Sequence, residues 1–240
     1  MPNDRCNLSL RALCNIYQTM AVKVDMYAAI GDIKKQIQIK GIQLAHHATL
    51  QLGIINSFAK DHFREGLTIL LHSASSVVLN VLKHVSERGI KVNVIVTAGH
   101  PSNTGTIVAE QCKEMGLPCK IILDSAVAVF MSKVDFVCVG CEAVMANGGI
   151  VNKVGTYSVA LIAQHFQKPV YVFCESFKFV EDFPLGQDDV EAIVKIKEDK
   201  DVHELNVDYT PPEHIDLFFT DLGIFTSSGI ADELNQFFLN

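Results

Sequence analysis

No stretch of this chain is long and apolar enough to span a bilayer: every continuous apolar run falls well short of the ~18–20 residues a membrane helix needs. The opening MPNDRCNLSLRALCN has neither the apolar centre of a secretory signal nor the arginine-rich face of a transit peptide, so no leader is expected there. Lysine and arginine never gather into a stripe, and the formal charge is -7, which argues against a direct nucleic-acid partner. Tryptophan is absent, which excludes nothing. The glycine fingerprint G-x-G-x-x-G is missing from the first strand–helix junction, and the phosphate loop G-x-x-x-x-G-K-S/T is missing altogether; dinucleotide binding and nucleotide hydrolysis have no support. Cys138 and Cys141 have C-x-x-C spacing, but no second pair or nearby histidine completes a metal site, and Cys138 ends an apolar run where a redox motif would begin a helix. No metal and no cofactor are expected. The seven cysteines, an odd number, fit a reducing, cytoplasmic compartment.

What is present is a folded chain of 240 residues, 49% hydrophobic and only 20% charged. Residues 8–65 follow a helical spacing, with Leu10, Leu13, Ile16 and Met20 first, then a looser pattern broken at Gly41. From Gly66 the pattern changes. The runs 67–71, 92–97, 119–123, 136–139 and 170–174 are short, continuously apolar and partly β-branched, as parallel strands covered on both faces require. Helical segments near 75–88, 104–115, 125–132 and 156–167 alternate with them. The expected fold is α/β: a Rossmann-like open, mostly parallel sheet over 66–240, preceded by a helical N-terminal subdomain over 1–65. Residues 181–208 read as a solvated connector. A last buried element at 215–220 precedes a closing helix at 227–238, with Ser227 or Ser228 as its cap.

Candidate chemistry gathers where strands end. His72 and Ser73 follow the first strand; Ser73, Ser75 and Ser76 could cap the next helix or hold an anion with its free amides. His100, in the loop after the second strand, is a candidate general base or a structural residue, and Ser102 or Asn103 can cap the helix beyond it. Asp124 ends the third strand at a helix start, where a capping role is the plain alternative. The richest stretch is 139–157, VGCEAVMANGGIVNKVGTY, read as a glycine-rich loop that presents amides, one ammonium and one carboxylate to a small phosphorylated or polyhydroxylated ligand. Glu142 and Lys153 are its ionisable pair, either facing a ligand or bonded to each other.

These residues carry a resemblance. The segments VDFVCVGCEAVMANGGIVNKVGTYSVALIAQHFQKPVYVFCESFKFVEDFPL and DYTPPEHIDLFFTDLGIFTSSGIADEL resemble the family shared by the alpha, beta and delta regulatory subunits of eukaryotic translation initiation factor 2B and by sugar-phosphate isomerases such as methylthioribose-1-phosphate isomerase. The ESFKF stretch and the DLG-containing stretch resemble the alpha branch. The likeness covers about 66–238 and is weak over the first 60 residues. The resemblance implies that a catalytic cysteine, in a T-H-C-N-like segment, would fall at Ser73, and a catalytic aspartate, in a G-A-D-R segment, at Glu142. An isomerase arginine would lie near His100. Serine is a far weaker acid than cysteine, and the extra methylene of glutamate displaces a carboxylate that must be tightly placed. Asn147, Gly148, Asn152, Lys153, Gly155 and Thr156 keep the frame of the ligand loop.

The resemblance therefore implies a protein that is not an enzyme: a regulatory and assembly subunit of the guanine-nucleotide exchange factor for translation initiation factor 2. It implies a homodimer, beta and delta partners, gamma and epsilon subunits reached through the complex, and recognition of the phosphorylated alpha subunit of initiation factor 2. Phe218, Phe219, Ile224 and Phe225 are expected to line a symmetric interface. A phosphorylated sugar or nucleoside monophosphate is expected at His72, Ser73, His100, Asp124, Glu142, Asn147, Asn152, Lys153, Gly155 and Thr156.

Overall fold

The continuous apolar runs become the centre of a seven-stranded sheet. In the computed structural model, residues 30–194 and 206–239 are described, with Cys14 alone before them. The first helix whose bounds lie among the described residues, labelled α1, runs Ile30–Ala59 and is followed by a 3-10 turn. Then come β1 (Thr68–Leu71), α2 (Ser76–Glu87), β2 (Asn93–Thr97), α3 (Thr104–Glu114), β3 (Cys119–Ile122), α4 (Val127–Met131) and β4 (Phe136–Val139). Two short strands, β5 (Ala143–Val144) and β6 (Ile150–Lys153), precede α5 (Thr156–His165) and β7 (Val170–Phe173). The chain closes with α6 (Gln187–Val194), β8 (Val207–Thr210), β9 (Leu217–Phe219), β10 (Ile224–Phe225) and α7 (Ser227–Leu239).

The large sheet has the order β10-β9-β7-β4-β1-β2-β3, parallel except for the β9–β10 hairpin. Chain order reverses between β1 and β4, so the carboxyl ends of these two strands form the switch point at which open α/β sheets bind ligands. Val77, Val78, Val81, Leu82 and Val85 of α2 pack on one face with Ile55 and Ala59 of α1. Val159, Ala160 and Ala163 of α5 pack on the other with Met131, Ile230 and Leu234. Strand β4 is buried throughout, as a central parallel strand covered on both faces should be.

Several expectations need correction. Helix α1 continues through Gly41, where a break was expected; a single interior glycine costs only about 1 kcal/mol. The break at Gly41 therefore does not occur, while residues 8–13 and 15–29 of the expected helical region lie outside the described residues. The stretch 139–157 is not a loop. It folds back as β5 and β6, which pair with β8 into a separate three-stranded antiparallel sheet over its own small core of Met145, Val151, Val190 and Tyr209. The expected connector at 181–208 contains α6 and the start of β8; residues 195–205 lie outside the described residues. Phe218 and Phe219 are fully buried, with Phe219 stacked on Phe173, so they serve the core and cannot line an interface. Thr226, rather than Ser227 or Ser228, caps α7 by accepting the Gly229 amide at 3.2 Å, while the Ser227 hydroxyl lies 2.8 and 2.7 Å from the Pro212 and Ile215 carbonyls.

Helix α1 is fastened to the carboxyl end of the sheet by a buried polar knot. Gln51 Nε2 donates to Asp221 Oδ2 at 2.9 Å and to Ser176 Oγ at 3.2 Å, and Asp221 also accepts the Ser176 amide at 2.7 Å.

Candidate functional site

The site grows from the end of β1. His72 is buried where the chain leaves that strand, and both ring nitrogens are engaged: Nδ1 lies 2.8 Å from Thr97 Oγ1 and Nε2 lies 2.9 Å from the Val154 carbonyl oxygen. A carbonyl can only accept, so Nε2 carries the proton and Nδ1 accepts from the threonine hydroxyl. Burial holds the imidazole pKa below its ordinary value, against the opposing pull of the Val154 carbonyl. A neutral histidine bonded at both nitrogens has no lone pair left to act as a base. Ser73 follows in the left-handed region, φ 63°. Ser75 caps α2, accepting the Val78 amide at 3.4 Å.

The loop after β2 is tied to the end of β3. Asp124 accepts the Gly99 amide at 3.0 Å and the His100 amide at 3.2 Å, and its Oδ2 lies 2.9 Å from His100 Nδ1. Desolvation pushes the Asp124 carboxyl up, but the hydrogen bonds from His100 and Gly99 outweigh it and leave its pKa lowered. Asp124 therefore clamps the β2 loop, in place of the expected cap on its own helix. Asn103 makes no side-chain cap on α3 either, because it adopts the left-handed conformation, φ 51°.

Across the switch point, Glu142 follows β4, and its Oε1 lies 3.4 Å from Lys153 Nζ at the end of β6. The two are held face to face because β5 and β6 form a hairpin with Val144 opposite Ile150. Asn147 closes that hairpin, accepting the Gly149 amide and donating to the Pro184 carbonyl and the Tyr209 hydroxyl. Asn152 and Thr156 are buried and bonded to each other at 3.1 Å, and Thr156 Oγ1 donates to the Lys153 carbonyl at 2.6 Å.

The amino end of α5, where free amides would favour an anion, is already occupied. Asp208 Oδ2 accepts the Gly155 amide at 2.7 Å and the Tyr157 amide at 3.1 Å. Burial raises the Asp208 carboxyl to about 6, with those amides pulling the other way. Asp208 was not among the sequence candidates: it lies 53 positions from Gly155, beside an apparent connector, and nothing local marks it. A second unforeseen group is Lys178, whose Nζ lies 3.0 Å from Glu175 Oε2 and donates to the Cys141 carbonyl at 3.0 Å, bracing the chain between β4 and Glu142.

His72, Ser73, His100 and Lys153 line one narrow cleft, with Asp124 and Glu142 bonded to its rim residues and Gly155 against the His72 ring. Asn152 and Thr156 support it from behind, and Asn147 stands apart at the hairpin. The cleft has a free volume of 20 Å³, room for about one water, whereas drug-sized ligands occupy roughly 300–1,000 Å³.

Residues 5–227 match the initiation factor 2 subunit family. The chain belongs to that family. It is 35% identical to translation initiation factor eIF2B subunit alpha of Dictyostelium discoideum over 95% of this chain and 77% of that one. It is 36% identical to the alpha subunit of Caenorhabditis elegans, over 77% of this chain and 63% of the relative. Ribose 1,5-bisphosphate isomerase of Archaeoglobus fulgidus, 33% identical over 70% of this chain and 57% of the enzyme, belongs to the same circle of relatives. Among solved structures, eIF2B beta from Chaetomium thermophilum superposes with a TM-score of 0.71 at 18% identity, covering 96% of this chain and 70% of that one, and so shares the fold. Within the initiation factor 2 subunit family, then, this chain has alpha regulatory subunits and isomerases among its relatives, and the residues of the cleft bear on which way it works.

Proposed function

We propose that this chain is a non-catalytic regulatory and assembly subunit of the guanine-nucleotide exchange factor for translation initiation factor 2, working as an alpha subunit does. The observation that carries the reading is His72, both of whose ring nitrogens are bonded at the switch point, beside an Asp208 carboxylate that already sits on the amides at the start of α5. With it goes the resemblance, which implies a serine (Ser73) and a glutamate (Glu142) at the positions of the isomerase pair. A histidine committed at both nitrogens cannot serve as a base, and a carboxylate on those amides takes the place of a bound anion.

In this reading the chain forms a homodimer and joins beta and delta subunits, and through them gamma and epsilon. It helps recognise the phosphorylated alpha subunit of initiation factor 2. Leu222 and Ile224, at the β9–β10 turn, are exposed apolar residues suited to such contacts. The test is guanine-nucleotide release from initiation factor 2 by the exchange complex assembled with and without this chain. Phosphorylated substrate should inhibit exchange strongly only when the chain is included. Equal inhibition in its absence contradicts the regulatory role.

A second reading coexists with the first: the cleft retains binding of a phosphorylated sugar or nucleoside monophosphate. The convergence of His72, Ser73, His100 and Lys153 on one cleft favours it.

A further inference from the structure

Phe183 and Leu185 stand in water on either side of a buried proline. Leu185 is 86% exposed and Phe183 62%, whereas Pro184 between them is buried. The segment that carries them is fixed from both directions. The Val180 amide donates to the Val144 carbonyl at 3.0 Å, the Ala146 amide to the Asp182 carbonyl at 3.0 Å, and Asn147 Nδ2 to the Pro184 carbonyl at 2.7 Å. On the far side the Leu185 amide donates to Asp189 Oδ2 at 2.7 Å, and Val190 of α6 is buried in the core of the small sheet. Two large apolar side chains are thus held outward by a backbone already ordered against the β5–β6 hairpin. Binding through them loses little backbone freedom, which is the condition under which a few residues anchor an interface.

Charge decides what can cover them. Residues 180–194 include five acidic side chains, Glu181, Asp182, Asp188, Asp189 and Glu191, and no lysine or arginine. Glu181, Asp188 and Asp189 are exposed. Such a rim repels the phosphates of a nucleic acid and the headgroups of an anionic membrane. A second copy is disfavoured too, because a symmetric contact sets the same acidic residues against each other in chains of net charge -7. What remains is a protein whose apolar pocket is bordered by basic residues, since an apolar centre with a complementary polar rim is the anatomy of a specific interface.

We propose that Phe183 and Leu185 anchor a docking surface for another protein subunit, which receives them in an apolar pocket rimmed by lysine and arginine. The identity of that partner rests on the regulatory reading: the pocket belongs to the beta–delta pair.

The test is interferometric titration of the immobilised full-length chain with purified beta–delta subcomplex. Phe183→Ser and Leu185→Ser together should weaken binding by about tenfold or more with the thermal midpoint unchanged, since both side chains are already in water. Glu181→Lys with Asp188→Lys should slow association and remove much of its dependence on salt. Benzoylphenylalanine in place of Leu185 should crosslink, on irradiation, to a beta or delta peptide that contains lysine or arginine. Subcomplex that binds the unaltered chain and the double serine variant equally overturns the inference and leaves the regulatory reading standing. A crosslink formed only between two copies of this chain overturns it as well. Subcomplex that fails to bind the unaltered chain overturns both.

Discussion

Asp208 Oδ2 sits 2.7 Å from the amide nitrogen of Gly155, the place at the start of α5 where a bound phosphate would be held. The carboxylate of β8 acts as a built-in anion: it satisfies two amides at the start of α5 and so joins the small sheet to that helix. Asp208→Ala leaves the Gly155 and Tyr157 amides unpaired and should cost roughly 1–3 kcal/mol, read as a fall in the midpoint of urea unfolding. The same residue gives a pH signature. Its folded pKa of about 6 lies above the ordinary 3.8, so its contribution to stability is fully present below pH 3.8 and is lost as pH rises through about 6. His72 acts in the opposite sense: its pKa is lowered from 6.5, so its contribution is present above pH 6.5 and lost as pH falls through the lower folded value. Subtracting the unfolding curve of Asp208→Asn from that of the unaltered chain isolates the carboxyl. The difference between pH 7 and pH 4 should favour the unaltered chain at low pH by about 1–3 kcal/mol.

Gly155 is needed twice over. Its φ of +100° is closed to most side chains, and a Cβ there would come within 2.8 Å of His72 Cε1. Gly155→Ala should destabilise the chain by about 1–3 kcal/mol and loosen the His72 bond to the Val154 carbonyl. With the Val154 carbonyl that raises its pKa drawn away, the His72 imidazole should then titrate at a lower pH than in the unaltered chain. An unchanged thermal midpoint would show that the loop relaxes freely.

Catalysis should be absent. On the proposed reading, in which Ser73 and Glu142 replace the isomerase pair, no conversion of ribose 1,5-bisphosphate or methylthioribose 1-phosphate is expected by phosphorus NMR. Turnover that disappears in Glu142→Gln would return the chain to the isomerase branch.

Phosphate binding, by contrast, should be weak but measurable. Any anion entering the cleft must draw Lys153 from Glu142 and open a space of only 20 Å³. Calorimetric titration with sugar phosphates, AMP and GMP should show saturable binding that Lys153→Ala weakens by roughly ten- to a hundredfold, the worth of one charge-assisted hydrogen bond. No saturation at millimolar ligand would make the cleft purely structural.

The parallel sheet was legible because its strands, β1, β2, β4 and β7, are buried on both faces and so read as unbroken apolar runs. The second sheet was not, although Asn147-Gly148 between Ala143–Val144 and Ile150–Lys153 is a hairpin signal in its own right; the richness in glycine read as a loop instead. Gly148, at φ +82°, supplies the turn. For the site, the sequence located most of the residues that gather at the switch point. Their pairings depended on partners far along the chain, Asp208 for Gly155 and Val154 for His72, which no local pattern reveals. Phe218 and Phe219 misled for the opposite reason, because an apolar run looks the same whether it faces a core or a partner.

A regulatory subunit must assemble. The tagged chain should be co-expressed with beta and delta subunits, purified through the tag, and its complex mass measured by sedimentation velocity. The expected result is a fixed-stoichiometry complex containing all three subunits, and a dimer when the chain is expressed alone. Recovery of this chain alone as a monomer at micromolar concentration, with beta and delta in the flow-through, would contradict it.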